Sequence, residues 1–189
     1  MKKGVVFFHS NIRNIYKNRW IDKSVSSIIN QTDPNFKIYE LNYGQDDYSV
    51  IPKNNGFCSK FWSIRLKDYA EAMNFIISEA FNDGCDMVFN TNLDDYYSPD
   101  RISKQSSLMI EGDYDIVSSD FCYISESNNE DRIIRFMNIC RFGDIKLNLE
   151  SQHNVIAHPV VCYNKRFWGD LNNRYDSKNI PKEDLHLWI

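Results

Sequence analysis

The chain is expected to be an α/β domain, on three observations: short apolar runs of strand length, helix-period stretches between them, and an acidic pair just past one of the runs. Its 189 residues, 42% hydrophobic and 14% aromatic, suffice for one core, and no repeat or low-complexity linker divides them. One domain spanning residues 1–189 is therefore expected.

Val5, Val6, Phe7 and Phe8 form a continuous apolar run before His9 and Ser10, the pattern of a strand buried on both faces. Over residues 22–30, Val25, Ile28 and Ile29 recur at helical spacing, and Asp33-Pro34-Asn35 supplies a break. Residues 36–41 alternate apolar and polar before Asn42-Tyr43-Gly44, which predicts a second strand and completes a βαβ unit. Residues 51–59, with Pro52, Asn54, Asn55 and Gly56, read as irregular. Residues 69–81 are strongly helical in composition, and Gly84 is placed to cap that helix.

Asp86-Met87-Val88-Phe89-Asn90 predicts another short strand, with Asn92-Leu93-Asp94-Asp95 just past its carboxyl end, where open α/β sheets place ligands. Pro99 is placed to open a helix through Ile102, Leu108 and Met109, and residues 114–118 suit a further strand. The polar stretch 125–132 reads as an exposed loop or hairpin tip.

A formal net charge of −4 provides no general basic field, so nucleic acid is not an expected partner. No apolar stretch is long enough to span a bilayer, and the first residues do not resemble a secretory signal. Five scattered cysteines without a C-x-x-C pair point to reduced, mostly buried thiols and a cytoplasmic location. Asn30-Gln31-Thr32 matches a glycosylation sequon, which matters only in a secreted protein.

Adjacent carboxylates at Asp94 and Asp95 repel unless a cation or donor intervenes, and a hard divalent ion would satisfy both them and a diphosphate. Helix capping accounts for the pair about equally well, since Asp is a favoured cap and Pro99 marks a helix start. The spacing excludes an EF-hand, and no glycine-rich run ends in the Lys-Ser or Lys-Thr of a P-loop.

The segment "YYSPDRI" (96–102), following a strand and this acidic motif, resembles the D-x-D region of family-2 glycosyltransferases of the GT-A fold. Three further stretches fall in that family's order. "KSVSSIINQTDPNFKIYELNYGQDD" (23–47) is similar to its first helix, turn, second strand and nucleotide-contacting loop. "YAEAMNFIISEA" (69–80) resembles a helix with a characteristic Asn, matched by Asn74. "HPVVCYNKRFWGDLNNRYDSKNIPKEDLHLWI" (158–189) resembles the acceptor-side segment, whose catalytic base falls on Asp184. The wording also resembles glycosyltransferases encoded by large DNA viruses, for which the location would be the host cytoplasm. Two departures stand out: Asn92 replaces the usual first acid of the metal motif, and Asn42 replaces an Asp that contacts the base.

The resemblance implies a mostly parallel mixed sheet flanked by helices, with a nucleotide-binding half near 1–95 and an acceptor-side half near 96–189. It implies inverting transfer from a nucleotide-sugar donor, foremost a UDP-sugar, to a hydroxyl of a glycan or glycoprotein. Asp184 would be the general base. Asp95, assisted by Asp94, would hold Mn2+ or Mg2+ against the leaving diphosphate. His9, Asn42, Asn74, Asn92 and Asp94 are the nucleotide-sugar candidates, and His158, Trp168 and Glu183 the acceptor-side ones. Structural alternatives stand beside these: Glu183 and Asp184 suit a helix N-terminus, His158 a hydrogen-bonded core histidine, and Trp168 a core aromatic. Two other functions remain in view, a non-catalytic nucleotide-sugar-binding protein and a sugar nucleotidyltransferase, although residues 9–14 lack the glycines of the latter's phosphate loop.

Overall fold

The computed structural model describes residues 1–44, 48–52, 57, 59–124, 132–134, 142–180 and 182–188, with the backbone alone at residues 13, 59, 132–134, 142 and 183. Strand β1 (Lys3–His9) leads through a short α1 (Ile12–Ile15) into α2 (Asn18–Ile29), then β2 (Lys37–Asn42) and β3 (Ser59–Ser63). Helix α3 (Tyr69–Asn82), β4 (Met87–Asn90), α4 (Arg101–Glu111) and β5 (Ile116–Val117) follow. The hairpin strands β6 (Phe121–Tyr123) and β7 (Arg132–Ile134) precede α5 (Phe142–Glu150), β8 (Cys162–Asn164), α6 (Lys165–Gly169) and α7 (Glu183–Trp188). Short 3-10 turns span His158–Val160 and Ser177–Asn179.

Six strands form one sheet in the order β3-β2-β1-β4-β8-β5. The first four are mutually parallel and β8 is antiparallel to both neighbours, giving the mixed, mostly parallel sheet expected. In the continuous apolar run of β1, Val5 and Phe7 join a core with Val25 and Ile28 of α2 and Ile102 and Met109 of α4. Val6 and Phe8 face the opposite way, into a core with Met73, Ile76 and Ala80 of α3 and with Trp168 and Leu187. A period-2 strand made apolar on both faces thus needs helices on both faces. Full burial of each such large side chain contributes about 1.5–3 kcal/mol relative to exposure.

Several expectations need correction. The strand expected from alternation over 36–41 is present as β2 and is buried through Asn42, because α3 and α2 cover both sides. The polar member facing inward, Glu40, has its carboxylate satisfied by the His9 ring and by Ser49, Val50 and Ile51. Lys60-Phe61-Trp62 extends as edge strand β3 directly after the segment read as irregular. Helix α2 begins at Asn18, four residues before the periodic stretch, and the strand expected over 114–118 pairs only at Ile116 and Val117. Pro99 lies two residues before α4, whose N-cap is Asp100. Gly84 does follow α3 with φ 88°, a conformation only glycine adopts without strain. The loop expected over 125–132 lies outside the described residues except at Arg132, which opens β7.

Candidate active site

Strand β1 sits between β2, its successor along one direction, and β4, reached by crossing to the other side. That reversal of strand order opens a crevice beyond the carboxyl ends of β1 and β4. The register places His9 beside Asn42, and Asn42 beside Ser63, in one row across the sheet, whereas β4 ends at Asn90 opposite Val6. The chain after β4 therefore rises past β1 and returns at the level of His9. A cleft of about 180 Å³ lies there, walled by Phe8, His9 and Ser10 of β1 and its exit, Ile15 and Tyr16 of α1, Tyr43 after β2, Tyr69 of α3, and Asn92, Leu93 and Asp94. Gly44 lets the β2 exit close against the β1 exit: a Cβ there would meet the Asn11 backbone nitrogen at 3.1 Å.

The acidic loop is pinned from α2 and from Gln31 just past its end. Ser24 donates to the Asn92 carbonyl at 2.9 Å, Ser27 accepts from the Tyr97 amide at 3.0 Å, and Gln31 donates to the Ser98 carbonyl at 2.7 Å. Positions 24 and 27 share a helix face, and Gln31 follows the helix directly after its C-cap, Asn30. The Gln31 side chain also accepts from the Ile102 amide at 3.0 Å, serving the first turn of α4 from a distant part of the chain. Asp100 holds the N-cap position without a side-chain bond to the helix and Gln31 serves the Ile102 amide, so the capping alternative for Asp94 and Asp95 is not met.

Asp94 is exposed and Asp95 half-buried. Burial and the adjacent Asp94 charge push the Asp95 carboxyl up to about 6, against the opposing pull of the Asn92 side chain and the buried Arg101 guanidinium. Arg101 donates to the Asn90 carbonyl at 2.7 Å and lies 4.5 Å above the Tyr97 ring, so it counters the carboxylates from behind the loop. Among the described residues no group of three His, Cys, Asp or Glu side chains gathers as a metal site. An under-compensated carboxylate pair at the rim of an open cleft fits a hard divalent cation whose remaining ligands come from a bound diphosphate.

The other candidates divide between cleft and scaffold. The His9 Nε2 lies 2.9 Å from the Glu40 carboxylate, which accepts, and its Nδ1 is buried with no hydrogen-bond partner among the described residues. Asn42 is fully buried; its carbonyl oxygen accepts from the Gly44 amide at 3.0 Å, an Asx turn that shapes the cleft wall. Asn74 spends both polar atoms on the Tyr175 backbone, at 2.8 and 2.9 Å, and so clamps the segment around Tyr175 to α3. Trp168, expected on the acceptor side, is instead core: it is 3% exposed, its indole donates to Ser78 at 3.0 Å, and Arg174 covers its ring at 4.4 Å. His158 is buried with Tyr175 on Nε2 and Tyr69 on Nδ1, and burial lowers its pKa to about 4 although Asp184 opposes this. His153 and His186 are exposed.

Asp184 accepts from the Asn154 amide at 2.6 Å and, at the start of α7, from the Leu185 amide at 2.7 Å. It is half-buried, and its charge reaches His158, Tyr163 and Tyr175. The Glu183 side chain lies outside the described residues. Sequence reasoning missed the aromatic walls. Tyr16 is one of them: burial first, then Asp94, Tyr43 and Asp95, raise its hydroxyl pKa, which places it in the field of the acidic pair. Aromatic residues in apolar segments read as core, and only their position at strand exits marks them out.

A mixed sheet with an acidic loop at its reversal point defines a single GT-A-like α/β domain. The chain belongs to glycosyl transferase family 2, whose profile matches residues 15–181. It is 21% identical over 176 residues to the O-antigen biosynthesis glycosyltransferase WbnJ of Escherichia coli, covering 90% of this chain and 66% of that protein. Its fold matches S. aureus TarS 1-349, solved in complex with UDP, with a TM-score of 0.73 at 14% identity over 98% of this chain and 53% of that one. The mannosyltransferase PcManGT from Pyrobaculum calidifontis, solved with GDP-Man and Mn2+, matches with a TM-score of 0.65 at 11% identity, over 98% of this chain and 50% of that one. The chain thus spans about half to two thirds of the length of these proteins. No helix among the described residues is long and apolar enough to cross a membrane.

Proposed function

We propose that the chain forms the donor-binding and catalytic domain of a glycosyltransferase that moves a sugar from a nucleotide-sugar donor, foremost a UDP-sugar, to an acceptor hydroxyl on a glycan or glycoprotein. The observation that carries this is Asp94 in the wall of an aromatic-lined cleft with Asp95 next to it in the chain, whose carboxyl burial and the Asp94 charge push up to about 6. A planar base suits the walls of Phe8, Tyr16 and Tyr43, and a diphosphate suits the acidic rim once a cation is present. The family membership and the ligands of TarS and PcManGT point the same way.

Asp95 and Asp94 would hold Mn2+ or Mg2+, which supplies Lewis-acid neutralisation of the leaving diphosphate. Asp184 would take the proton of the acceptor hydroxyl as that oxygen attacks the anomeric carbon and the diphosphate departs from the opposite side, inverting the centre. Two donors already fix its carboxylate, from Asn154 and from Leu185, so it is oriented before substrate arrives. The nucleotide-binding half would run to about residue 95, with the acceptor side formed by the remainder.

Asp184→Asn should leave nucleotide and Mn2+ binding within about twofold of the parent while turnover falls by roughly 10²-fold or more. Glu183→Gln, removing a charge from the same turn, is the control and should stay active. Full activity in Asp184→Asn would assign the base elsewhere; no product from the parent with any donor that it binds would favour a non-catalytic nucleotide-sugar-binding protein.

A further inference from the structure

The cleft wall holds a buried ring nitrogen that the proposed chemistry has not used. His9 lines the cleft and is 3% exposed. Its Nε2 meets the Glu40 carboxylate at 2.9 Å, and its Nδ1 is buried with no hydrogen-bond partner among the described residues. Glu40 is itself held from the other side: Oε1 also accepts from the Val50 amide at 2.6 Å, and Oε2 accepts from the Ser49 hydroxyl at 2.6 Å and the Ile51 amide at 3.4 Å. These donors pin the carboxylate against the ring.

An ionised carboxylate only accepts, so the ring nitrogen that faces it carries a proton. With that proton on Nε2, Nδ1 of the neutral ring is a bare acceptor. A second proton on Nδ1 would create a buried cationic donor with nothing to receive it, which is costlier and rarer in folded proteins than an unmet acceptor. Glu40 thus sets Nδ1 as an acceptor in want of a donor. A ligand that brings an N–H or O–H to it restores the free energy lost by burying it unpaired.

The sheet order says which part of a nucleotide brings that donor. Glu40 belongs to β2, on the side of β1 opposite β4, so the His9 ring is drawn away from the acidic loop that follows β4. A nucleoside diphosphate with its phosphates at Asp94 and Asp95 then has its base toward the exits of β1 and β2. Asn42, level with His9 in the strand register, is already engaged there: its side-chain oxygen accepts from the Gly44 amide at 3.0 Å and its Nδ2 donates to the Tyr48 carbonyl at 3.3 Å. We propose that His9 Nδ1 accepts the ring N–H of the nucleobase, and so selects an oxo base, uracil or guanine, over cytosine or adenine, whose matching ring nitrogen is bare. This rests on the nucleotide-sugar reading of the cleft.

The test is calorimetry in Mn2+ on the parent and on His9→Gln, with UDP against CDP and GDP against ADP as matched pairs. Glutamine carries an amide near the Nε2 position, so donation to Glu40 is kept while the Nδ1 acceptor is lost. The parent should bind UDP about fivefold or more tightly than CDP, or GDP than ADP, the effect of one neutral hydrogen bond. In His9→Gln that ratio should fall to within about twofold of unity, with the CDP or ADP affinity within about twofold of the parent's. A parent that binds both members of a pair equally overturns the assignment, whether or not the variant folds. So does a His9→Gln protein that keeps the parent's ratio, or that loses affinity equally for both members. A folded parent that binds none of these nucleotides overturns the nucleotide-sugar reading itself, a separate result.

Discussion

Two carboxylates at opposite ends of the sheet are treated in opposite ways. At the amino end of β2, Asp83 collects Lys37 at 2.8 Å, the Tyr39 hydroxyl at 2.7 Å and the Lys60 ammonium, and these donors hold its carboxyl well below the usual range. At the carboxyl end, Asp95 stands beside Asp94 and is raised to about 6. The same chain that surrounds one Asp with three donors leaves the other beside a second negative charge. The contrast is the one expected if the first carboxylate serves stability and the second, only partly offset by Asn92 and Arg101, awaits a ligand, as proposed.

The largest effect expected from this contrast is at the structural end. Asp83→Ala strips three donors of their acceptor, including the Tyr39 hydroxyl, and should cost about 2 kcal/mol in urea unfolding. Because the folded pKa of Asp83 is depressed, its contribution is present above the unfolded carboxyl value near 4 and is lost as pH falls below it. An unchanged midpoint in Asp83→Ala would erase the distinction between the two ends.

Next in size is a pH dependence on the site side. His158 is held neutral, with its folded pKa below the unfolded value near 6.5, so only the unfolded state takes up this proton between those values. Stability from this group is therefore complete above about pH 6.5 and falls with decreasing pH by up to about 1.4 kcal/mol per unit, ending near the folded value. His158→Gln should flatten the unfolding midpoint between pH 6.5 and 5. A slope that persists in the variant would place the titrating group elsewhere.

The fold was legible where local pattern and tertiary demand agree. The run Val5 to Phe8 suits a doubly covered strand better than an exposed one, and α3 with Gly84 behind it announced both its course and its end. The acidic loop was legible for the same reason, since a short apolar strand with carboxylates at its exit occupies the ligand-binding end of such sheets. Pairings distant in sequence were not legible. Glu40 alternates like an outward residue, and its burial follows from His9 and the Ser49–Ile51 backbone. His158 finds Tyr69 at a separation of 89 residues, and Gln31 finds Ile102 at 71, contacts with no local period. Trp168 stood as an acceptor-side candidate with a core aromatic as the alternative, and it faces Phe81 and Tyr163 in the core.

The smallest stability effect is the most direct probe of the central claim, that the acidic pair is completed by a cation and a nucleotide. Asp95→Asn removes a charge that the metal-free fold poorly compensates, so the metal-free variant should be more stable than the parent by about 1 kcal/mol. In calorimetry with UDP or GDP, the parent should bind about tenfold or more tightly when Mn2+ is present, and Asp95→Asn should lose that enhancement. A variant that is stabilised yet insensitive to Mn2+ is the predicted result; one that binds nucleotide with the parent's full Mn2+ dependence would contradict the account.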